Sequence, residues 1–400
     1  MNMVAVTGLG VVSPHGDDPQ AMFAALMRGE SAVRPVFPDL AKPAAAATVD
    51  FDESRWFTKL QLAGVDRVSR LAVAAAELAM KDAGSPTGLD PERIGVYVGC
   101  GMGGAAALEL AYRSGPRVPP LTIPAFMPNA PAAHVAMRQG ALGPVLTYSV
   151  ACASSGIAIA EAAKAVQRGE VDLAIAGGRV ALSVPGVIMA WQAMQTLAGF
   201  APGEEASACR PFAAERSGFV LGVGAAFFVL ESAEHALRRG AHAYAELAGW
   251  GMSCDATHLS KPDAAGQARA LRSAVRQAGL HPAEGGYCNA HGTATKIGDV
   301  VEAQALREVW GDAIDGLWVS STKAMHGHLL GAAGALEAVV TILALHQRRL
   351  PPNVHGKSID PACALNLVLE PGATAPDLHA AISSSFAFGG TNSALVFKRV

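Results

Sequence analysis

Three side chains in the 400-residue sequence could together do nucleophilic chemistry: one thiol, Cys152, and two imidazoles, His291 and His328. Cys152 stands in "SVACASSGIAIAEAA" (149–163), among residues with almost no side chain and at the start of a helical run. The only polar stripe of that run is Glu161, Lys164 and Arg168, at spacings of three and four. A helix so poor in charge is expected to be buried. Burial would put its free N–H groups and its dipole in a low-dielectric setting, favouring a thiolate and a developing oxyanion. The pattern therefore predicts a lowered thiol pKa. The small neighbours Ala151, Ala153, Ser154, Ser155 and Gly156 predict a tight strand-to-helix turn with room for a substrate at the sulfur. The competing reading is a small cysteine that packs a helix start. It is the one adopted for Cys100, Cys209, Cys254, Cys288 and Cys363, which lack this setting.

His291 lies in "NAHGTATKIGDVVE" and His328 in "STKAMHGHLLGAAGALE". Each follows a β-like run (287–290 and 317–321) and precedes a glycine-rich turn, the strand-end position where α/β folds gather their sites.

The elements that must position these groups alternate. Short β-branched runs such as "NMVAVTGLG" and "RIGVYVGCG" are separated by alanine-rich helical patterns such as "VDRVSRLAVAAAELAMKDAG". In the last, Val68, Leu71, Ala75, Leu78 and Ala79 form an apolar stripe, and Gly84 is a C-cap candidate. The segments "GPVLTYSVACASSGIAIAEAAKAVQRGEVDLAIAGG" and "GLWVSSTKAMHGHLLGAAGALEAVVTILALHQRRLPP" share one plan of strand, small-residue loop and long helix, which predicts an internally duplicated α/β fold. The junction is placed near 240, after "ESAEHALRRG", giving halves 1–240 and 241–400 that share one core.

A net charge of −3 and 51% hydrophobic residues predict extensive burial and argue against a nucleic-acid protein. Six cysteines without a C-x-x-C pair suit reduced thiols in a cytoplasmic protein, with no disulfide. The start "MNMVAVTGLG" lacks a basic n-region and reads as a buried strand. Uncharged stretches at 139–160 and 180–203 are interrupted by Pro144, Pro185, glycines, Gln192 and Gln195, so neither is read as a membrane span.

Four ordered motifs, "VACASSG", "NAHGTAT…GD", "STKAMHGHLLGAAGALE" and "SSFAFGGTNSAL", together resemble those of the β-ketoacyl-acyl-carrier-protein synthases, elongating ketosynthases of the thiolase-like superfamily. The resemblance runs from "VAVTGLGVVSPHG" to "TNSALVFK". It implies a layered αβαβα architecture of two related halves, a dimer, and decarboxylative condensation on substrates carried by the phosphopantetheine of an acyl carrier protein, without metal or organic cofactor. By the same resemblance Cys152 is the acyl-accepting nucleophile, and His291 and His328 hold the malonyl thioester carbonyl. Lys323 charges and orients that cluster, with Glu302 as the buried carboxylate near it. Phe388 gates the site and shares an oxyanion hole with the Cys152 N–H, beside Phe386. Thr293 and Thr295 bind the phosphopantetheine arm, and Met102, Tyr112 and Phe126 help shape the acyl pocket.

Rival readings remain. Gly99, Gly101 and Gly104 form a G-x-G-x-x-G that would suit a nicotinamide-dependent reductase, but the acid expected about twenty residues on is missing from the proline-rich stretch 116–131. His326 with His328 and His291 could suggest a metal site, yet Lys323 would repel a cation, and His326 is read as a loop side chain. A non-catalytic, chain-length-controlling partner in a ketosynthase heterodimer is the third possibility; such relatives typically lack the nucleophile. Two departures stand out: "GGRV" (177–180) and "GVGA" (222–225) carry valines, Val180 and Val223, where the family often has acids. They are expected to be spatial neighbours and to point to a specialised pathway. An acidic carrier predicts a basic rim, for which Lys59, Arg67, Arg70 and Arg117 are candidates.

Overall fold

Buried strands rich in Val, Ala and Gly leave little besides packing to decide their order, and that order is the same twice. The computed structural model describes residues 3–182, 184–284 and 286–400. In the first half, β1 (Val4–Val12), β2 (Ile94–Cys100), β3 (Val145–Tyr148), β4 (Leu173–Val180) and β5 (Gly224–Ser232) lie in the order β3-β2-β4-β5-β1. In the second, β6 (Ala245–Cys254), β7 (Gly286–Asn289), β8 (Leu317–Ser320), β9 (Ala380–Phe386) and β10 (Thr391–Lys398) repeat it as β8-β7-β9-β10-β6. The pairing senses match as well. β1/β5/β4 and β6/β10/β9 are antiparallel, whereas β4/β2/β3 and β9/β7/β8 are parallel. The two sheets join edge to edge through only Ala5 with Glu246 and Val6 with Ala245.

Each half adds three corresponding helices: α1 (Arg67–Asp82), α2 (Ala130–Gln139) and α3 (Ser154–Gln167), then α4 (Ala264–Gln277), α5 (Gly298–Trp310) and α6 (Ala333–Gln347). Asp66 and Asp263 cap α1 and α4 by accepting from Val68 N–H and Gly266 N–H. Helix α1 packs on β1 and β5, and α4 on β6 and β10, forming the outer layers with α2 and α5. Between the sheets lie α3, on β2 and β4, and α6, on β7 and β9; each also reaches the opposite half, α3 touching β10 and α6 touching β5. The layers therefore run αβαβα, and the duplication appears in topology as well as in sequence pattern. The segment Leu330–Gln347, which contains α6, has mean hydropathy 1.4 and is 89% buried, so its apolar character belongs to the middle layer of the fold.

The small residues around Cys152 have a packing role that differs from the expected one. A Cβ at Gly99 would stand 2.3 Å from the Ser155 nitrogen, and one at Gly178 would stand 2.5 Å from Ser155 Cβ. One at Gly331 would lie 2.3 Å from the Gly101 nitrogen, and one at Gly334 would lie 3.0 Å from that of Gly156. The Ala335 N–H donates to Ser155 Oγ at 2.9 Å. Glycine and serine are thus needed where the starts of α3 and α6 press against each other and against β2 and β4. The same glycines explain the G-x-G-x-x-G: Gly104 abuts Ala125 O, where a Cβ would come within 2.2 Å, so the turn is filled by protein rather than shaped around a phosphate.

Val180 pairs in register with Gly224, the residue after Val223, so the two valines do lie together, both buried. Beside them Arg179 is fully buried and donates through Nη2 to Cys100 Sγ at 2.7 Å and to Pro128 O at 3.2 Å.

Gly331→Ala is expected to cost about 1–3 kcal/mol through overpacking, read as a lowered denaturation midpoint. Gly199→Ala, with no atom within 4 Å of the added carbon, should leave the midpoint unchanged.

Candidate active site

Cys152 sits on a sharp elbow between β3 and α3. Ala151 adopts φ +48°, in the left-handed region, and opens a 3₁₀ turn over Ala151–Ala153 that runs into α3. Such a conformation costs an alanine about 1–2 kcal/mol. Ser154 Oγ holds it, donating to Ala151 O at 2.6 Å and accepting from Val150 N–H at 3.0 Å. The second half repeats the elbow: Leu330, at φ +46°, opens a 3₁₀ turn over Leu330–Ala332 before α6. In this correspondence Cys152 matches Gly331.

His328 follows the short helix Lys323–His326, and its own N–H donates to Val220 O at 2.7 Å. Its Nε2 lies 3.0 Å from Cys152 Sγ. His291 lies two residues beyond the strand β7; its N–H donates to Glu302 Oε1 at 2.7 Å, and the next N–H, of Gly292, to Oε2 at 2.7 Å. The two imidazoles meet edge to face with centroids 5.3 Å apart, and one reactive atom from each of Cys152, His291 and His328 lies within 4.8 Å of the others. Thiol and imidazoles, from opposite halves of the chain, are thus brought to one point.

Burial sets the protonation states. It pushes the Cys152 thiol up to about 11, against the pull of Lys323 and of the Phe388 and Cys152 N–H groups. The expected lowering is therefore overturned: loss of water around the sulfur outweighs the helix start and the nearby cation. Burial likewise holds His291 and His328 well below the usual imidazole range, and Lys323 adds to the effect. At neutral pH the cluster holds a thiol and two neutral rings, each ring with one N–H donor and one lone pair.

Lys323 and Glu337 form a fully buried ion pair at 2.5 Å. Burial raises the Glu337 carboxyl to about 7 despite that partner. The carboxylate against Lys323 is therefore Glu337 and not Glu302, which ties down the main chain under His291 and also accepts from Ser384 Oγ at 3.1 Å. Sequence reasoning passed over Glu337, although it is the one acidic residue in the apolar run of α6. It also missed Arg216. This buried guanidinium donates to Thr295 O at 3.0 Å, Lys296 O at 2.7 Å, Ala213 O at 2.8 Å and Asp360 Oδ2 at 2.7 Å, fixing the turn that carries the two threonines.

A cavity of about 500 Å³ opens over the cluster. Cys152, His291, Thr293, Thr295, Glu302, His328, Phe386 and Phe388 all line it. Thr293 Oγ1 and Thr295 Oγ1 are 3.1 Å apart, and Phe386 meets the His291 ring edge-on at 6.1 Å. Phe388 stacks on Trp191 at 6.1 Å, and its main-chain N–H is one of the groups that draw the Cys152 thiol pKa down against burial. Gly389 and Gly390 have φ of +87° and +74°; a Cβ on Gly390 would fall 2.8 Å from Asp255 Cβ, so this turn is packed against the loop at 255–260.

Met102 does not line this cavity. The turn after β2 is pinned by Gly103 N–H to Cys100 Sγ at 3.2 Å and by the backbone contact of Gly101 with Gly331, which leaves Met102 36% exposed. Tyr112 is likewise exposed, and Phe126 lies outside the lining. His326 is no loop side chain: it is fully buried, within hydrogen-bond distance of Thr322 Oγ1 at 2.9 Å and Gly327 O at 2.7 Å, and burial drives its pKa to about 3. Of the basic candidates, Arg70 is spent on Glu53, Val65 O and Leu62 O, and Arg67 on Val49 O. Lys59 and Arg117 are exposed, and Lys261 and Lys296 stand exposed in the cavity lining.

With the thiol held up to about 11, alkylation of Cys152 by iodoacetamide should accelerate continuously as pH rises from neutral toward that value, the thiolate fraction growing throughout. Peptide mass spectrometry reads the rate; a plateau near neutral pH would show instead a preformed thiolate–imidazolium pair.

Comparison with known proteins agrees with this geometry. The family model "Beta-ketoacyl synthase, N-terminal domain" matches residues 1–236 and "Beta-ketoacyl synthase, C-terminal domain" matches 244–357. The 3-oxoacyl-[acyl-carrier-protein] synthase 2 of Staphylococcus aureus (strain COL) is 36% identical, covering 99% of this chain and 98% of that protein. Nodulation protein E of Rhizobium meliloti (strain 1021) is 39% identical, covering 99% of each. Among solved structures, the ishigamide ketosynthase/chain length factor superposes with TM-score 0.92 at 32% identity, over 100% of this chain and 99% of that one. A type II polyketide synthase ketosynthase, solved with its acyl-carrier protein and bound to the hexaketide, gives TM-score 0.92 at 30% identity over 100% of both chains. Motifs, duplicated layers and the Cys–His–His cluster converge with these matches: the chain belongs to the β-ketoacyl synthase family and has the thiolase-like ketosynthase fold.

Proposed function

We propose that this protein is an acyltransferase that condenses a Cys152-bound acyl chain with a malonyl group on an acyl carrier protein, releasing carbon dioxide and a β-ketoacyl thioester for fatty-acid or polyketide synthesis. One observation carries the reading: the reactive atoms of Cys152, His291 and His328 lie within 4.8 Å of one another in a single cavity.

In the first stage the Cys152 thiol attacks the acyl thioester. The new S–C bond replaces the bond to the carrier's phosphopantetheine sulfur, and the Cys152 proton passes to that departing thiolate, with the His328 ring, its Nε2 3.0 Å from Cys152 Sγ, steadying the charge as it moves. In the second, malonyl enters and its thioester oxygen accepts N–H donors from both imidazoles, which burial keeps neutral. Cleavage of the carboxyl carbon bond releases carbon dioxide and leaves its electron pair as an enolate, whose charge forms where those donors point. The enolate carbon attacks the Cys152 thioester, and the Phe388 and Cys152 N–H groups would hold the tetrahedral oxyanion until it expels the Cys152 thiolate, which takes a proton from solvent to restore the resting thiol. Holding both reactants together supplies the proximity term, so the chemistry calls for no metal or organic cofactor.

Thr293 and Thr295 would bind the phosphopantetheine arm, with Arg216 as the positioning residue behind them. Lys323, paired with Glu337, tunes the imidazoles. Lys261 and Lys296, together with Lys59 and Arg117, are the exposed cations available to an acidic carrier. A second ketosynthase subunit, identical or related, would cover the exposed apolar surface of Leu108, Leu110, Tyr112, Ile123 and Met127 and the open edge of β3, where Val145 and Leu146 are exposed. Met102, Tyr112 and Phe126 would then shape the acyl pocket at that junction. The presence of Cys152 favours the condensing subunit over a chain-length-controlling partner. Free thiols, all six cysteines unbridged, suit a cytoplasmic protein.

Intact-mass analysis after incubation with acyl-carrier thioesters should show one acyl adduct, absent in Cys152→Ala; an adduct that persists there removes Cys152 as nucleophile. His291→Ala should keep the adduct and lose about 10²–10³ in kcat for condensation. Arg216→Lys should raise KM for malonyl carrier protein several-fold with the alkylation rate of Cys152 unchanged, whereas loss of both would mark a general folding defect.

A further inference from the structure

We propose that Cys152, His291 and His328 also form a capture site for zinc or another thiophilic divalent cation, and that the captured ion blocks acylation. Among the described residues these three make the one group of three potential ligands whose donor atoms lie within 4.8 Å of one another. Thiolate and imidazole are the ligands zinc prefers, with bonds of about 2.3 Å to sulfur and about 2.0–2.1 Å to nitrogen, so donors in a tetrahedral site stand about 3.3–3.6 Å apart. His328 Nε2 and Cys152 Sγ, at 3.0 Å, need to part slightly, and side-chain rotation brings the wider spacings, all within 4.8 Å, inward. The cavity leaves the fourth position open to water.

The step is a simple exchange. Cys152 loses its S–H proton to solvent, one Zn–S and two Zn–N bonds form, and nothing is oxidised or reduced. The nearest cation, Lys323, is paired with Glu337 at 2.5 Å, which offsets part of the repulsion that a second positive charge would meet. Nδ1 of His291 and of His328 has no hydrogen-bond partner, so neither ring is fixed in a tautomer that would forbid ligation. The same lack of outer partners weakens a metal site by about 10–100-fold, so capture is expected to be reversible by chelators. Inhibition rests on the reading of Cys152 as the nucleophile; capture does not.

The test uses the full chain with cobalt(II) and zinc(II). Cobalt should produce a thiolate-to-metal charge-transfer band in the near ultraviolet, lost in Cys152→Ser and shifted at least about tenfold to higher metal concentration in His328→Asn. Zinc should protect Cys152 from iodoacetamide, with EDTA restoring alkylation. A band that persists in Cys152→Ser, or neither band nor protection with the metal in large excess, overturns the proposal. If carrier thioesters acylate Cys152 while zinc does neither, capture fails and the condensing reading stands. If the band and the protection appear but no acylation occurs, capture stands and the condensing reading fails.

Discussion

The close crossing of α3 and α6 governs the rest of the molecule. Their first turns meet at Gly334 and Gly156, with Ser155 accepting a hydrogen bond from the opposing helix, and are pressed from the flanks by Gly99 and Gly178 of the strands and by Gly331 against Gly101. A side chain of ordinary size at any of these positions would push the halves apart. The elbow bearing Cys152 and the loop bearing His328 both lie just before these helix starts. Packing of the innermost layer and spacing of the reactive atoms are therefore one constraint, met by the same small residues.

A second consequence of that crossing is electrostatic. A site built where two halves meet is deeply dry, so its thiol, imidazoles and carboxyls are pushed toward their neutral forms. The thiol and the two imidazoles yield fully, while Lys323 keeps Glu337 as its buried partner. A neutral thiol beside a neutral base stores no charge at rest; ionisation occurs when substrate arrives to receive it. Glu302 contributes differently, by fixing the two N–H groups that aim His291.

Much of this was legible in the sequence, because periodicity and composition survive without neighbours. The repeated plan of strand, small loop and long helix announced the duplication, and the uncharged run after Cys152 announced a buried helix. What failed needed knowledge of the opposing surface. The small residues around Cys152 looked like room for substrate, yet they are room for α6. The helix start promised an acidic thiol, but the extent of desolvation depends on both halves closing over it. Glu302 is the buried carboxylate near the cluster that the motif implied, but Glu337 went unnoticed, and only the fold shows that it is Glu337 that faces the ammonium. His326 was misjudged for the same reason, since the packing of its short helix buries it, and Met102, on a turn pinned by Cys100, reaches no cavity within this chain alone.

The paired elbows carry a lesson about how such a molecule divides labour. Duplication supplied two equivalent corners, one ending in a sulfur at Cys152 and the other left bare at Gly331, where the backbone of Gly101 occupies the space a side chain would need. Reactivity cannot migrate to the empty corner, since any atom added there wedges the core. The first copy is thereby committed to holding the acyl group and the second to supplying its acid–base partners. Neither copy retains a complete apparatus, so the ancestral symmetry survives in the architecture while the chemistry has become indivisible.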